Sequence, residues 1–273
     1  SHMSISYAVF CLKKKKNVGI NISRFEDVRK PTLNQRVEVA AVSNQANLSS
    51  NIASISLNVI QNNNFNMGVF NIKSNSMMGN KLLFQQLDLV FPGNNEFYYF
   101  DNKIINQAFD MVAAVENTDE GNQTYLHPVW AYPLNYQYQP DVNGAFYFRR
   151  NDLGIERTAD TEADYSWVYF ALDSDKMDKE WYELGAFNDY TPSEESRMNY
   201  DEQSKKYIAK IYLKQGFYNY ILATKDLSGN LNFGEINGSF WQTENLYQAF
   251  IYYTAFGKNY DGLVGYGETR RAV

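Results

Sequence analysis

Little in this chain is equipped for nucleophilic or acid–base chemistry. The sequence holds two histidines and one cysteine. His2 belongs to Ser1-His2-Met3, which reads as the scar of a cleaved affinity tag, so the base left for a serine or cysteine nucleophile is His127, directly before Pro128. No G-x-S-x-G elbow, H-E-x-x-H helix or glycine-rich phosphate loop accompanies it. His127 therefore reads as a strand or loop residue, and the chain as a protein without catalytic residues, metal ligands or cofactor. The carboxylates come nearer to a ligand set. Asp173, Asp175 and Asp178 begin like a calcium loop, but Met177 stands at the third ligand position, Asp178 at the glycine position and Leu184 in place of the bidentate glutamate. Asp160, Glu162 and Asp164 alternate, which in an extended segment turns all three to one face where they could hold a calcium ion between domains, but solvated linker charge is the preferred reading. Aromatic side chains offer a third chemistry. An exposed flat ring flanked by polar groups stacks on a pyranose or seats against a protein, and Trp181, Tyr190 and Trp241, near expected loops, are the candidate contact rings.

The composition says which framework must position such rings. Aromatics make up 16% of the chain, with 22 tyrosines and 18 phenylalanines, and these types favour the pleated surface of a sheet. A net charge of −6 and a pI near 5.1 argue against a nucleic-acid partner, which demands phosphate neutralisation. No apolar stretch approaches the roughly 18 residues that span a bilayer as a helix, so direct membrane insertion is not expected. The basic run Lys13 to Lys16 reads as a solvated hairpin tip, and Cys11 has no second cysteine for an internal disulfide.

Period-two alternation appears repeatedly. Residues 36–42 place Val37, Val39 and Ala41 on one face and Glu38 on the other, and residues 55–60 do the same with Ile55, Leu57 and Val59. Short strands are also expected at 7–12, 19–25, 81–84, 96–100, 109–115, 145–149 and 247–253, with 165–172 a central strand apolar on both faces. Residues 207–213 and 217–224 are separated by Lys214-Gln215-Gly216, which reads as a hairpin with Gly216 left-handed. Many short strands and almost no amphipathic helix predict an all-β protein of two tandem β-sandwich, immunoglobulin-like domains. The expected division is 4–152 and 153–273, with the polar stretch 151–161 as the connection.

Two resemblances follow from these residues. The order of apolar strand, Gly185-Ala-Phe-Asn-Asp-Tyr190, loop and strand ending in G-x-Y-x-Y resembles immunoglobulin-like modules that bind glycogen and starch. That likeness implies a stacking tryptophan and a following lysine, where this chain has Tyr190 and Ile221. A wider set occurs in fixed order: F-P-G-N-N-E-F-Y-Y-F-D at 91–101, D-V-N-G at 141–144, T-E-A-D-Y at 161–165, L-G-A-F at 184–187, R-M-N-Y at 197–200, L-K-Q-G-F-Y-N-Y at 213–220 and T-E-N at 243–245. This series resembles the plug protein family of the type IX secretion system. The resemblance implies a periplasmic, non-enzymatic protein of Gram-negative bacteria that docks on a large outer-membrane β-barrel translocon and closes its periplasmic side. It transfers no catalytic residues.

Overall fold

A computed structural model of the chain describes residues 17–24, 33–42, 52–86, 89–131 and 133–270. The expected strand at 7–12, Cys11 and the lysine run at 13–16 lie outside them. Strands account for 54% of the structure and helix for 6%, so the all-β class holds. The strands in chain order are β1 (Asn17–Arg24), β2 (Asn34–Val42), β3 (Ile55–Gln61), β4 (Asn64–Ile72), β5 (Ser76–Met78), β6 (Lys81–Phe84), β7 (Val90–Pro92), β8 (Tyr98–Asp101), β9 (Val112–Thr118), β10 (Gly121–Leu126), β11 (Val129–Trp130), β12 (Phe146–Phe148), β13 (Asn151–Asp152), β14 (Ile155–Glu156), β15 (Tyr165–Asp173), β16 (Glu180–Leu184), β17 (Arg197–Asp201), β18 (Lys206–Lys214), β19 (Gly216–Lys225), β20 (Leu231–Asn232), β21 (Leu246–Thr254) and β22 (Asp261–Arg270).

They form two compact units, one of residues 1–93 and 244–273, the other of residues 94–243. The division expected near residue 152 instead falls inside the second unit. The physical reason is strand pairing across it: β12 lies antiparallel to β19, and β10 lies parallel to β15. The C-terminal strands β21 and β22 belong to the first unit, where β21 pairs with β3.

In the first unit, β1-β2-β6-β5 with β7 on β2 make one sheet and β22-β21-β3-β4 another. Alternation works as expected: Val37, Val39 and Ala41 of β2 and Ile55, Leu57 and Val59 of β3 are buried, and they share a core with Leu82, Phe84, Phe91 and Tyr247. A buried polar network sits where the chain leaves this unit and returns to it. The Asn245 amide donates to Gly93 O (2.7 Å) and Gln35 Oε1 (3.1 Å), and its Oδ1 accepts from Asn62 Nδ2 (2.7 Å). Asn62 Oδ1 accepts the Leu246 N–H (2.8 Å), while the Tyr247 hydroxyl joins Gln35 and Gln61. All of these side chains are buried, so each would be costly to leave unpaired.

The second unit holds an 11-stranded sheet, β12-β19-β16-β17-β18-β15-β10-β9 with β8, β11 and β20 attached beside it, and the two-stranded pair β13-β14. It wraps around its own aromatic core. Phe100 meets Phe170 edge-on at 5.5 Å, Phe170 meets Tyr220 at 5.1 Å, and Trp181 stacks on Tyr207 at 5.0 Å. The expected hairpin of β18 with β19 does not form. β18 pairs with β15 and β17, while β19 pairs with β8, β12, β16 and β20. Lys214-Gln215-Gly216 is therefore an arch between different parts of the sheet. Buried Gln215 clips it: its N–H donates to Asp164 O (2.7 Å), its Oε1 accepts from Asp164 N (2.9 Å), and its Nε2 donates to Lys103 O (3.0 Å). Gly216 is not left-handed; a Cβ there would lie 2.6 Å from Tyr147 O, so close backbone approach is what excludes a side chain.

Replacing Asn245 by Ala removes its buried hydrogen bonds to Gly93 O, Gln35 Oε1 and Asn62 Nδ2 together, with an expected loss of about 2–4 kcal/mol. Urea unfolding followed by tyrosine fluorescence measures this; a loss under about 1 kcal/mol would show that the network is not holding the unit closed.

Candidate binding face

β15 and β18 each have an inner and an outer edge of side chains. Ser166, Val168, Phe170 and Leu172 of β15 and Tyr207, Ala209, Ile211 and Leu213 of β18 turn inward and are buried. The alternate positions turn outward, and they carry Tyr165, Trp167 and Tyr169 on β15 and Lys210 and Tyr212 on β18. Register brings them together. Trp167 pairs with Tyr212 and Tyr169 with Lys210, while the parallel neighbour β10 sets Tyr125 beside Tyr169.

The rings form a ladder across three strands. Tyr125 and Tyr169 stack at 4.6 Å with planes 21° apart, Tyr165 and Tyr212 at 5.2 Å and 21°, and Trp167 tilts against Tyr212 at 4.8 Å. The Lys210 ammonium lies 4.6 Å from the Trp167 centroid and 5.4 Å from that of Tyr169, and bonds Glu120 Oε2 at 2.9 Å. That bond to Glu120, followed by one to Tyr169, raises the Lys210 pKa and keeps the cation charged. The Tyr169 hydroxyl donates to Gln123 Oε1 (2.9 Å) and the Tyr125 hydroxyl to Glu116 Oε2 (3.1 Å). Burial first, then the Glu116 bond, raises the Tyr125 pKa, so the phenol stays neutral. Tyr165 and Tyr212 remain 47% and 53% exposed, which leaves that end of the ladder open to a partner.

This geometry limits what the face can hold. A sugar ring needs a bare aromatic face. Here ring faces are turned on one another and on a lysine, and the Tyr169 and Tyr125 hydroxyls are already bonded to Gln123 and Glu116, so the rings form a packed row around the Lys210 ammonium. Strands β8, β19 and β12 carry a smaller stack of similar kind, in which Phe217 contacts Tyr99 (5.7 Å) and Tyr147 (5.2 Å).

The rings expected to make contact lie elsewhere. Trp181 is 1% exposed and Tyr190 2%, so neither can stack on a ligand as the sequence suggested; Trp241 is half-buried. The reason for Trp181 is that β16 is an interior strand, paired on both sides by β17 and β19. Tyr190 is folded inward by the turn before it: Gly185 N donates to Asn188 Oδ1 (2.9 Å), Tyr190 N donates to Gly185 O (3.0 Å), and the Tyr190 hydroxyl reaches Gly144 O (3.3 Å). Asp160 and Glu162 sit in one helical turn, Ala159–Glu162, rather than alternating along an extended segment, and Asp164 pairs with Arg150 at 3.3 Å. His127 is exposed, with its N–H bonded to Met111 O. Among the described residues no group of three or more His, Cys, Asp or Glu could hold a metal ion.

Tyr125, Trp167, Tyr169, Lys210 and Tyr212 were missed by the sequence reading. The signal was present in Y-S-W-V-Y-F-A-L. Read as apolar on both faces, it conceals an outer row of amphipathic rings opposite an inner row that includes Ser166, whose hydroxyl bonds Thr124 at 2.6 Å.

The motifs that carry the family resemblance converge on buried hydrogen bonds. Asp141 accepts the Phe97 N–H (2.7 Å) and the Asn143 N–H (2.7 Å), while Asn219 Oδ1 accepts from Val142 N (2.7 Å) and Gly144 N (3.3 Å). Thr243 Oγ1 donates to Asn94 O at 2.9 Å. No protein-family profile and no curated protein matches the chain. A crystal structure of a hypothetical protein from Parabacteroides merdae ATCC 43184 is similar to it, with a TM-score of 0.84 and 26% identity. The match covers 94% of this chain and 65% of that one, so the chain spans about two thirds of the length of that protein.

One charge in this region is anomalous. Glu183, between Trp181 and Gly185, is fully buried, and neither carboxylate oxygen has a hydrogen-bond partner. Burial holds its pKa well above the ordinary carboxylate range, so it is protonated in the fold. Folding then retains a proton that the unfolded chain releases. Stability is full below the unfolded carboxylate pKa and falls as pH rises, by about 1.4 kcal/mol per unit, until the raised folded value is reached. Glu183→Gln should flatten that slope. Urea midpoints between pH 5 and pH 9 test it, and a variant that keeps the wild-type slope would assign the proton to another group.

Proposed function

We propose that this protein is a non-enzymatic periplasmic docking protein that closes the periplasmic side of a large outer-membrane β-barrel translocon, as the resemblance to the type IX plug family implies. Its second unit, read as an immunoglobulin-like sandwich, supplies the contact surface. The observation that carries the reading is the ladder of Tyr125, Tyr165, Trp167, Tyr169 and Tyr212 around Lys210. Tyrosine and tryptophan give contact area with few rotatable bonds, and already-stacked rings lose little further freedom on binding. The exposed Tyr165 and Tyr212 pair offers amphipathic rings to a protein surface. A steric plug needs such a rigid face and no reactive groups.

The competing reading, a glycogen- or starch-binding accessory module, loses support with the burial of Trp181 and Tyr190. The two readings separate in two measurements. Tagged protein incubated with solubilised outer membranes of its own bacterium should recover a large β-barrel. Trp167→Ala with Tyr212→Ala should cut that recovery by roughly tenfold or more, since buried aromatic contacts contribute about 1–2 kcal/mol each. In gels cast with soluble α-glucan, migration should be unretarded; retardation that the double variant abolishes would favour the glycan reading.

A further inference from the structure

The large sheet of the second unit ends on β9, which pairs with β10 and, among the described residues, with no strand on its other side. An edge strand turns a row of backbone N–H and C=O groups outward, and folds ordinarily blunt that row with brevity, bulges, proline, lysine or a covering element. The strands at the other ends of the larger sheets are blunted in this way. β12 and β5 have three residues each, β4 breaks register with β3 twice, and β1 approaches β22 so closely that a Cβ on Gly267 would lie 2.7 Å from Val18 O. β9 lacks these devices. It keeps unbroken register with β10 from Ala114 to Thr118, and Val112–Thr118 contains no lysine, arginine or proline. Ala113, Ala114, Glu116, Asn117 and Thr118 are exposed, and the two alanines put little side chain in the way of an added strand.

The groups on this edge select its occupant. Backbone amides and carbonyls in strand geometry are matched by the backbone of another extended polypeptide, and a lipid surface offers no such row. Charge narrows the choice further. Residues 109–127 carry Asp110, Glu116, Asp119 and Glu120 and no lysine or arginine. Two cations from elsewhere reach this stretch: Lys210 bonds Glu120 at 2.9 Å, and Lys103 lies over the Phe109 ring at 5.0 Å. Four carboxylates against two ammonium groups still leave a charge of −2. That sign repels an anionic lipid surface, and it sets like charge against like where β9 of a second copy would pair. It attracts a strand that carries lysine or arginine.

We propose that β9 is a strand-accepting edge, which takes up an extended basic segment of another polypeptide as one more strand of the sheet. The inference stands on the edge and its charge, and it does not depend on the docking reading above.

Amide hydrogen exchange and fluorescence anisotropy of the full chain with a short labelled peptide of Lys-Val repeats test this. Bound peptide should slow exchange in residues 112–118. Affinity should fall roughly tenfold or more for the same peptide N-methylated along its backbone, and likewise for one with glutamate in place of lysine. Glu116→Lys combined with Asp119→Lys should reverse the preference between the lysine and glutamate peptides. Equal binding of the N-methylated peptide overturns the edge, because side-chain attraction alone then accounts for the affinity. Absence of binding by the lysine peptide, or protection that leaves 112–118 unchanged, overturns it as well. A glutamate peptide held as tightly as the lysine peptide overturns the charge selection. Protection of 112–118 by phosphatidylethanolamine–phosphatidylglycerol vesicles, or by a dimer seen in sedimentation velocity, overturns the proposal in favour of lipid or a second copy. Recovery of the barrel is measured separately, so the two readings fail independently.

Discussion

A buried polar group must find a partner, and the rest of this molecule depends on how that requirement is met where the chain is interrupted. The first unit consists of two stretches of sequence separated by residues 94–243. Its second sheet is complete only when β21 returns to pair with β3. Asn245 enforces that return, because its amide satisfies Gly93 O and Gln35 and its carbonyl satisfies Asn62. A chain that failed to bring residue 245 back would forfeit these three buried hydrogen bonds.

The same requirement explains why the family-like motifs are short, polar and scattered. D-V-N-G supplies carboxylate and backbone groups that Phe97, Asn219 and Tyr190 complete. L-K-Q-G supplies Gln215, which locks the arch between two parts of the sheet. These residues hold the backbone in place. They account for the fold's architecture, and they free the outer sides of β15 and β18 to carry aromatics that serve no core. The second unit thus combines an inner aromatic core with an outer aromatic ladder, separated by one pleat.

Much of the local structure was legible. Alternation identified β2 and β3 and named Val37, Val39, Ala41, Ile55, Leu57 and Val59 as inward, because one buried face imposes a period of two whatever the strand's neighbours are. The outer ladder was only half legible. Aromatics satisfy the period on either side of a strand, so Trp167 in Y-S-W-V-Y-F-A-L could not be sorted from Phe170 without knowing which side faced the core. The candidate rings failed for the complementary reason. Trp181 and Tyr190 occupy a loop-rich stretch, but β16 has a strand on both sides and the Gly185 turn folds back on itself.

By itself, the sequence determined the all-β class and the position of most strands, since these depend on residue type and spacing alone. Tertiary structure alone decided which strands pair, where one unit is interrupted by the other, and which rings reach the surface. Lys214-Gln215-Gly216 shows why. Three residues between two strands fit a hairpin or an arch equally well, and the choice was made by Gln215 bonding Asp164 and Lys103, residues far away in sequence. Local propensity cannot encode a partner that distant, whereas the completed sheet brings Asp164, Lys103 and Gln215 together.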